Sequence, residues 1–286
     1  MFTAFFADIT NKKCKSSEYS FNDEVLDTMK EKVAIQDNYI YLVILYRIIM
    51  DCYNDFNSFR VEYKNDFWKV NKYLLNYVNA IYSFKEYIKN CYGQTSDVYK
   101  IVDGYYQTTN WYTFLCNYRN RIIHQSAVIK DYDVKSGDAY IDFDDLIELT
   151  KLHIKSSRTG EENGKKFIRF LERQYPKTKL NGDHHYMSAK RVFNSVNNEV
   201  KAMANKIFIH LYEKELKDSF TWFLSMTLQD KEERYLSTYI IQDETNINFQ
   251  TNYYLEDYIV NIMFTLGKSF DVVNMLIKFL KDEGYL

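Results

Sequence analysis

The sequence predicts a mainly α-helical protein: an antiparallel helical bundle, a small β-hairpin near its middle and a helical extension at the C-terminal end. Three observations carry this. Chain breakers are scarce, with one proline, Pro176, and eight glycines in 286 residues, and these are the residues that most often end helices. Apolar residues recur at steps of three and four over long windows, the spacing of one helix face. Residues 127–143 break that rhythm, reading as two short strands around a turn that contains Gly137.

In chain order, residues 1–20 read as an irregular arm ending in Lys12-Lys13-Cys14-Lys15-Ser16-Ser17. Ser20 or Asn22 caps a helix running to about Lys64, with Asp23 and Glu24 in its favourable first turn and a break near Asp37-Asn38. Between Ile40 and Met50 nearly every face is apolar, as in a helix buried on several sides. Asn65 or Asp66 starts the next helix, whose stripe is Phe67, Val70, Leu74, Tyr77, Ile81, Phe84 and Ile88, and Gly93 stops it. Thr95-Ser96-Asp97 opens a shorter helix through about Tyr106, and Asn110 caps one that ends near Gln125. After the hairpin, Asp144-Asp145 cap a helix to about Lys155, and a polar linker to Gly164 leads to a helix over Lys165–Gln174, before Pro176. A loop, Lys177 to Asp183, precedes the longest helix, from about His185 to Thr227, and two more fit 229–241 and 253–282, the second broken at Gly267. The expected organisation is an arm at 1–20, a helical domain at 21–228 that includes the hairpin 127–143, and a C-terminal helical extension at 229–286.

Composition narrows the function classes. The length allows a substantial core and one or two domains. The chain is 17% aromatic, so its helices are expected to pack through rings. Net charge is −2, yet Lys151 through Phe220 carries fifteen Lys and Arg against eight Asp and Glu, leaving −9 for the rest. A basic segment in an acidic chain fits an RNA-facing surface and equally a solvated pair of helices. Cys14, Cys52, Cys91 and Cys116 form no C-x-x-C pair, so buried thiols in a reducing cytosol are expected rather than zinc or disulfides. The N-terminal residues have no basic region ahead of a long apolar run, and the stretch Tyr39–Met50 is interrupted by Arg47 and too short to span a bilayer. A soluble, cytoplasmic protein without a membrane partner is the expectation. No P-loop, dinucleotide fingerprint or G-x-S-x-G elbow is present, and neither His153 nor the adjacent His184 and His185 complete a metal-ligand spacing. His210 falls on an apolar stripe, as a core histidine would.

Chemistry concentrates in Asn110 to Gln125. Trp111, Leu115, Tyr118 and Ile122 make one apolar stripe, while Arg119, Asn120, Ile123 and His124 share the opposite side and Arg121 lies on a flank. That polar face is either solvated or covered by something, and Ile123 within it favours a cover such as a second copy of the same face. The run Arg119-Asn120-Arg121-Ile122-Ile123-His124 resembles the signature of the HEPN superfamily, an arginine commonly followed by asparagine and, four to six residues on, a histidine near a helix end. The resemblance covers this helix well and the preceding helices in outline; beyond about residue 160 it finds nothing specific.

What the resemblance implies is a metal-independent endoribonuclease, often the toxin or effector of a prokaryotic defence or toxin-antitoxin system. Such proteins commonly dimerise so that two motifs line one cleft, and some carry a small hairpin after the motif. By that likeness Arg119 binds phosphate, His124 is the general acid or base, and Asn120 positions. Arg121, Ser83 and Glu86 are supporting or RNA-binding candidates, although an ordinary surface carboxylate is the commoner role for a residue like Glu86. No cofactor and no metal are implied; the partners are RNA, a second copy of the chain and an antitoxin or defence-system component. Ser126 departs from the family's pattern, since some family toxins have there a tyrosine that a partner enzyme modifies. The physical basis is independent of the family: RNA brings its own 2′-hydroxyl, histidine titrates near neutrality, and arginine holds phosphate oxygens in a fork of donors. The rival reading is a non-catalytic dimerisation or RNA-binding protein that keeps the same polar face.

Overall fold

The computed structural model describes residues 2–8, 13–17, 23–60, 66–108, 110–125, 129, 131–133, 136–156, 161–227, 238–243 and 255–283. Its elements run β1 (Phe2–Asp8), β2 (Lys13–Ser17), α1 (Asp23–Ser58), α2 (Phe67–Tyr92), α3 (Asp97–Thr108), α4 (Asn110–Gln125), β3 (Asp131–Asp133), β4 (Asp138–Asp142), α5 (Phe143–Ser156) and α6 (Glu161–Gln174). A short 3₁₀ turn (Tyr175–Lys177) leads to β5 (Lys179–Asn181), β6 (His184–Ser188) and α7 (Ala189–Leu211); a π-helical turn (Tyr212–Leu216) follows, then α8 (Lys217–Thr227), β7 (Thr238–Asp243), α9 (Leu255–Leu266) and α10 (Asp271–Asp282). The protein is mostly helical, with small antiparallel sheets. It divides into two compact units, residues 1–44 with 207–286, and residues 45–206.

In the unit formed by the two ends of the chain, β1 lies between β2 and β7 in an antiparallel sheet, with Phe5 opposite Ser16 on one side and Ile240 on the other. The arm expected to be irregular is therefore stranded, and the helix expected over 229–241 gives way to a strand at 238–243, residues 228–237 lying outside the described residues. The physical reason is non-local: Thr-Tyr-Ile-Ile is rich in β-branched and aromatic residues, but its partner strand is more than 200 residues away in sequence. α1 continues unbroken through Asp37-Asn38 because tertiary partners hold it. Gln36, fully buried, donates from Nε2 to Ser219 Oγ at 2.7 Å, Ser219 donates to the Lys32 carbonyl, and the Tyr39 hydroxyl donates to the Phe208 carbonyl. The predicted break at Gly267 is found, with φ 69° between α9 and α10.

In the unit spanning 45–206, the stripe of α2 is buried as predicted over Val70, Leu74, Tyr77, Ile81, Phe84 and Ile88, and Gly93 ends the helix at φ 83°. Ser96 Oγ accepts the N–H of Tyr99 at the start of α3. The predicted hairpin exists as β3 and β4, with Tyr132 opposite Ala139. It is half of a larger sheet, however: the order is β3-β4-β6-β5, all antiparallel. The loop expected at Lys177–Asp183 and the helix start expected at His185 are a second hairpin, turning at Gly182 with φ 61°. The signal was an Asn181-Gly182 pair, a strong short-range hairpin cue. β4 ends on Asp142, whose Oδ1 accepts the N–H groups of Asp144 and Asp145 at 3.0 and 3.1 Å, so Asp142 caps α5 in place of the expected Asp144-Asp145.

One helix among the described residues, over Asp27–Ser58, is long and apolar enough to cross a membrane by length and composition, where the shorter stretch at 39–50 was expected to fall short. Its apolar side is packed within the protein at Tyr39, Leu42, Val43, Tyr46, Ile49 and Tyr53.

Rings dominate the interior of this unit. Phe114 on α4 has the rings of Tyr118, Phe143, Phe167, Phe170 and Phe193 within 5.3–6.3 Å between centroids. Phe114→Ala is expected to cost about 3–5 kcal/mol in urea denaturation, whereas Trp68→Ala, at a residue 61% exposed, should change stability by no more than about 0.5 kcal/mol. Equal losses for the two variants would contradict this packing.

Candidate active site

α4 is held at its start from outside the helix. The Glu199 carboxylate of α7 accepts the N–H of Tyr112 at 2.7 Å and that of Trp111 at 3.3 Å. Asn110, expected to cap this helix, is its exposed first residue, and a carboxylate 89 positions later supplies the acceptors and the favourable charge at the positive end of the helix dipole. Buried residues on α4 are Tyr112, Phe114, Leu115 and Tyr118, with Trp111 and Ile122 half-buried, so the core-facing stripe is wider than predicted and centred nearer Phe114 and Tyr118.

That orientation decides where Arg119 goes. Its guanidinium carbon lies 3.6 Å from the centroid of the Tyr82 ring on α2, a stacked cation–π contact. Its Nε is buried without a hydrogen-bond partner. Lys85, one turn beyond Tyr82 on α2, has its Nζ 6.0 Å from the centroid of Tyr106 on α3. Among the described residues neither Arg119 nor Lys85 forms an ion pair. The two cations line one recess of about 230 Å³ between α2, α3 and α4, together with Tyr82, Tyr106, Cys116 and Asn120. Its floor is apolar, formed by Val78, Ile81 and Leu115.

The electrostatics follow from this geometry. Burial pushes the Cys116 thiol up to about 11, against the pull of the Lys85 and Arg119 charges, which favour the thiolate. Burial raises the Tyr106 hydroxyl too, with Cys116 and Asp103 adding and Lys166 opposing. The recess thus offers two positive charges, two ring faces and neutral hydroxyl and thiol groups, which is an environment for a small anion with a flat neighbour.

The predicted site residues divide accordingly. Asn120 is exposed and lines the recess beside Arg119. Arg121 and His124 lie on α4, His124 in its last turn, but their side chains fall outside the described residues, as does Ser126. Ser83 is exposed on α2 and does not line the recess; Glu86 is half-buried and faces Lys89 on its own helix at 3.8 Å. The α2 residues that do meet Arg119 are Tyr82 and Lys85, which sequence reasoning passed over. Their signal was available: they are three apart, hence on one helix face, beside the stripe positions Ile81 and Phe84. The segment after α4 is tied to the same helix, since Asn71 of α2 donates to the Ile129 carbonyl and accepts the Ile129 N–H.

A second cluster lies in the same unit. Asp142, Asp144 and His184 bring carboxylate and imidazole atoms within 4.8 Å of one another. The sequence expectation that His184 and His185 complete no ligand set considered only local spacing; the sheet brings them to carboxylates about 40 residues earlier. Asp144 is pushed up by partial burial, but the Tyr175 hydroxyl and the His185 backbone and ring nitrogens outweigh this and hold it below the usual carboxylate range.

Comparison of the chain with protein-family models, with characterised proteins and with solved structures returns no match.

At pH 8 a thiol near 11 is ionised in about one molecule in a thousand, so Cys116 should react with iodoacetamide far more slowly than exposed Cys91. Lys85→Met, by removing a charge that favours the thiolate, should raise the Cys116 pKa further, read by peptide mass spectrometry across a pH series. Labelling of Cys116 as fast as Cys91 would contradict the buried, cation-lined recess.

Proposed function

We propose that the chain is a metal-independent endoribonuclease of HEPN type, cleaving single-stranded or loop RNA. The observation that carries the reading is the pair of cations without carboxylate partners, Arg119 and Lys85, lining a recess on the same helix that carries His124 five residues further on. An uncompensated pair of charges in a part-buried recess favours an anion, and a backbone phosphate is the anion that flat aromatic neighbours such as Tyr82 and Tyr106 would accompany with a stacked base.

In this reading Arg119 and Lys85 hold the scissile phosphate, with Asn120 positioning it. One imidazole takes the proton of the 2′-hydroxyl, whose oxygen attacks phosphorus as the bond to the 5′-oxygen breaks; a second imidazole protonates that leaving oxygen. The products are a 2′,3′-cyclic phosphate and a 5′-hydroxyl. One chain supplies one histidine to the motif, so a homodimer that brings His124 of each copy to a shared cleft completes the acid and base pair. Unstacked RNA is the substrate because its backbone can reach in-line geometry. The nucleophile belongs to the RNA, so neither metal nor cofactor enters the scheme. The biological setting we infer is that of a cytoplasmic effector or toxin of a prokaryotic antiviral or toxin-antitoxin system, with an antitoxin or defence component as its partner.

The test is cleavage of an unstructured RNA in the presence of a chelator. His124→Ala should lower the rate by about 10²–10⁴ with unchanged helical circular dichroism, and light scattering should find a dimer. Lys85→Ala and Arg119→Ala should weaken RNA binding and flatten its salt dependence. Salt-sensitive binding without cleavage by the wild type would favour a non-catalytic RNA-binding protein instead.

A further inference from the structure

β4 and β6 pair antiparallel with Asp142 opposite Tyr186, which sets the end of β4 and the first turn of α5 against His184 and His185. Capping α5 occupies Asp142 Oδ1, and Oδ2 is left facing β6, where His184 Nδ1 lies at 2.7 Å. Asp144 is held on its other sides: Oδ1 accepts the Tyr175 hydroxyl at 2.5 Å, and Oδ2 accepts the His185 N–H at 2.6 Å and meets His185 Nδ1 at 3.0 Å. The His185 ring in turn lies flat on Tyr175, 3.7 Å between centroids and 2° between planes. Two carboxylates are thereby fixed side by side, with an imidazole against them, on two paired elements.

We propose that Asp142, Asp144 and His184 form a binding site for a divalent first-row metal ion of the Mn²⁺ or Zn²⁺ class, distinct from the RNA recess. The three donor atoms lie within 4.8 Å of one another, so an ion at their centre starts no farther than about 2.8 Å from each and reaches ordinary bond lengths by small side-chain rotations. The donor set selects the class. One imidazole with two carboxylates suits Mn²⁺, Fe²⁺ or Zn²⁺ better than Mg²⁺ or Ca²⁺, which favour oxygen alone. The surroundings have the form of an outer layer that orients metal ligands: the first N–H groups of α5 hold Asp142, while Tyr175 and His185 hold Asp144. His184 is about half exposed, which provides an entry path and leaves coordination positions for water. In the metal-free state a proton sits between His184 and Asp142; the ion takes its place and joins α5 to β6. Its role is structural, so loss of this site leaves RNA chemistry intact.

The test uses the full chain stripped with chelator and titrated with Mn²⁺ alone, since Mn²⁺ has little affinity for the thiols. Electron paramagnetic resonance of free Mn²⁺ should report one equivalent bound, with a rise in unfolding temperature on saturation. His184→Ala, an exposed change that spares the fold, should weaken binding about tenfold or more, and Asp144→Asn likewise. His153→Ala, at an exposed histidine on α5, should leave binding unchanged. No bound equivalent in the wild type, or equal binding by His184→Ala, overturns the site, as does Mg²⁺ competing on even terms. RNA cleavage in chelator is a separate readout, so failure of either proposal is seen without the other.

Discussion

The ring of Phe114 is the contact on which the unit spanning 45–206 turns. It touches aromatic side chains from α5, α6 and α7 as well as its own helix, so it fixes both the position of α4 and its rotation about its axis. Rotation is what matters chemically. With Phe114 and Tyr118 turned inward, Arg119 is carried to the side occupied by α2 and its guanidinium settles on Tyr82. A cluster of rings packs to a single arrangement more strictly than aliphatic chains of similar volume, because ring planes must interleave. The charged recess is precise because its apolar support is.

α4 is also held at its opening turn by a group that belongs to another helix. Glu199 satisfies two N–H groups that the helix cannot satisfy itself, and it does so from α7, whose other face meets the same ring cluster through Phe193. Asn197 and Asn194 of α7 accept the hydroxyls of Tyr77 and Tyr53. The helix that carries the motif is thus clamped by apolar packing along its length and by charge at its start, while the recess itself keeps its positive charge without a carboxylate partner among the described residues.

Legibility of the fold followed the range of the interactions. The α2 stripe from Val70 to Ile88, the stop at Gly93, the hairpin around Gly137 and the break at Gly267 are set by neighbours within a few residues, and each could be read along the chain. The strands at 2–8 and 238–243 define each other across the whole length of the protein, and a window of local periodicity has no access to that pairing. The second hairpin was different: Asn181-Gly182 announced it, and the adjacent histidines were read as a helix start instead. For the site, Arg119 and Asn120 were legible from helical spacing, but the partners that give Arg119 its surroundings were not. Tyr82 and Lys85 look like ordinary borders of an amphipathic helix until α4 is laid beside them. Caps misled in a consistent way, since Asn110 and Asp144 are good capping residues by type, yet Glu199 and Asp142 hold the bonds by geometry.

The π-helical turn at Tyr212–Leu216 has a consequence for how this chain tolerates length change. Such a turn accommodates one residue more than an α-helical turn, so the stretch from α7 into α8 contains a built-in insertion. Removing any one residue there would give a smooth helix, but everything after it would swing by about 100° around the axis. Ser219 would leave Gln36, and Phe220 would leave Phe279. The irregular turn therefore acts as a phase adjuster between two otherwise regular helices, and the chain is less forgiving of a deletion at 212–216 than of a conservative substitution at any single position within it.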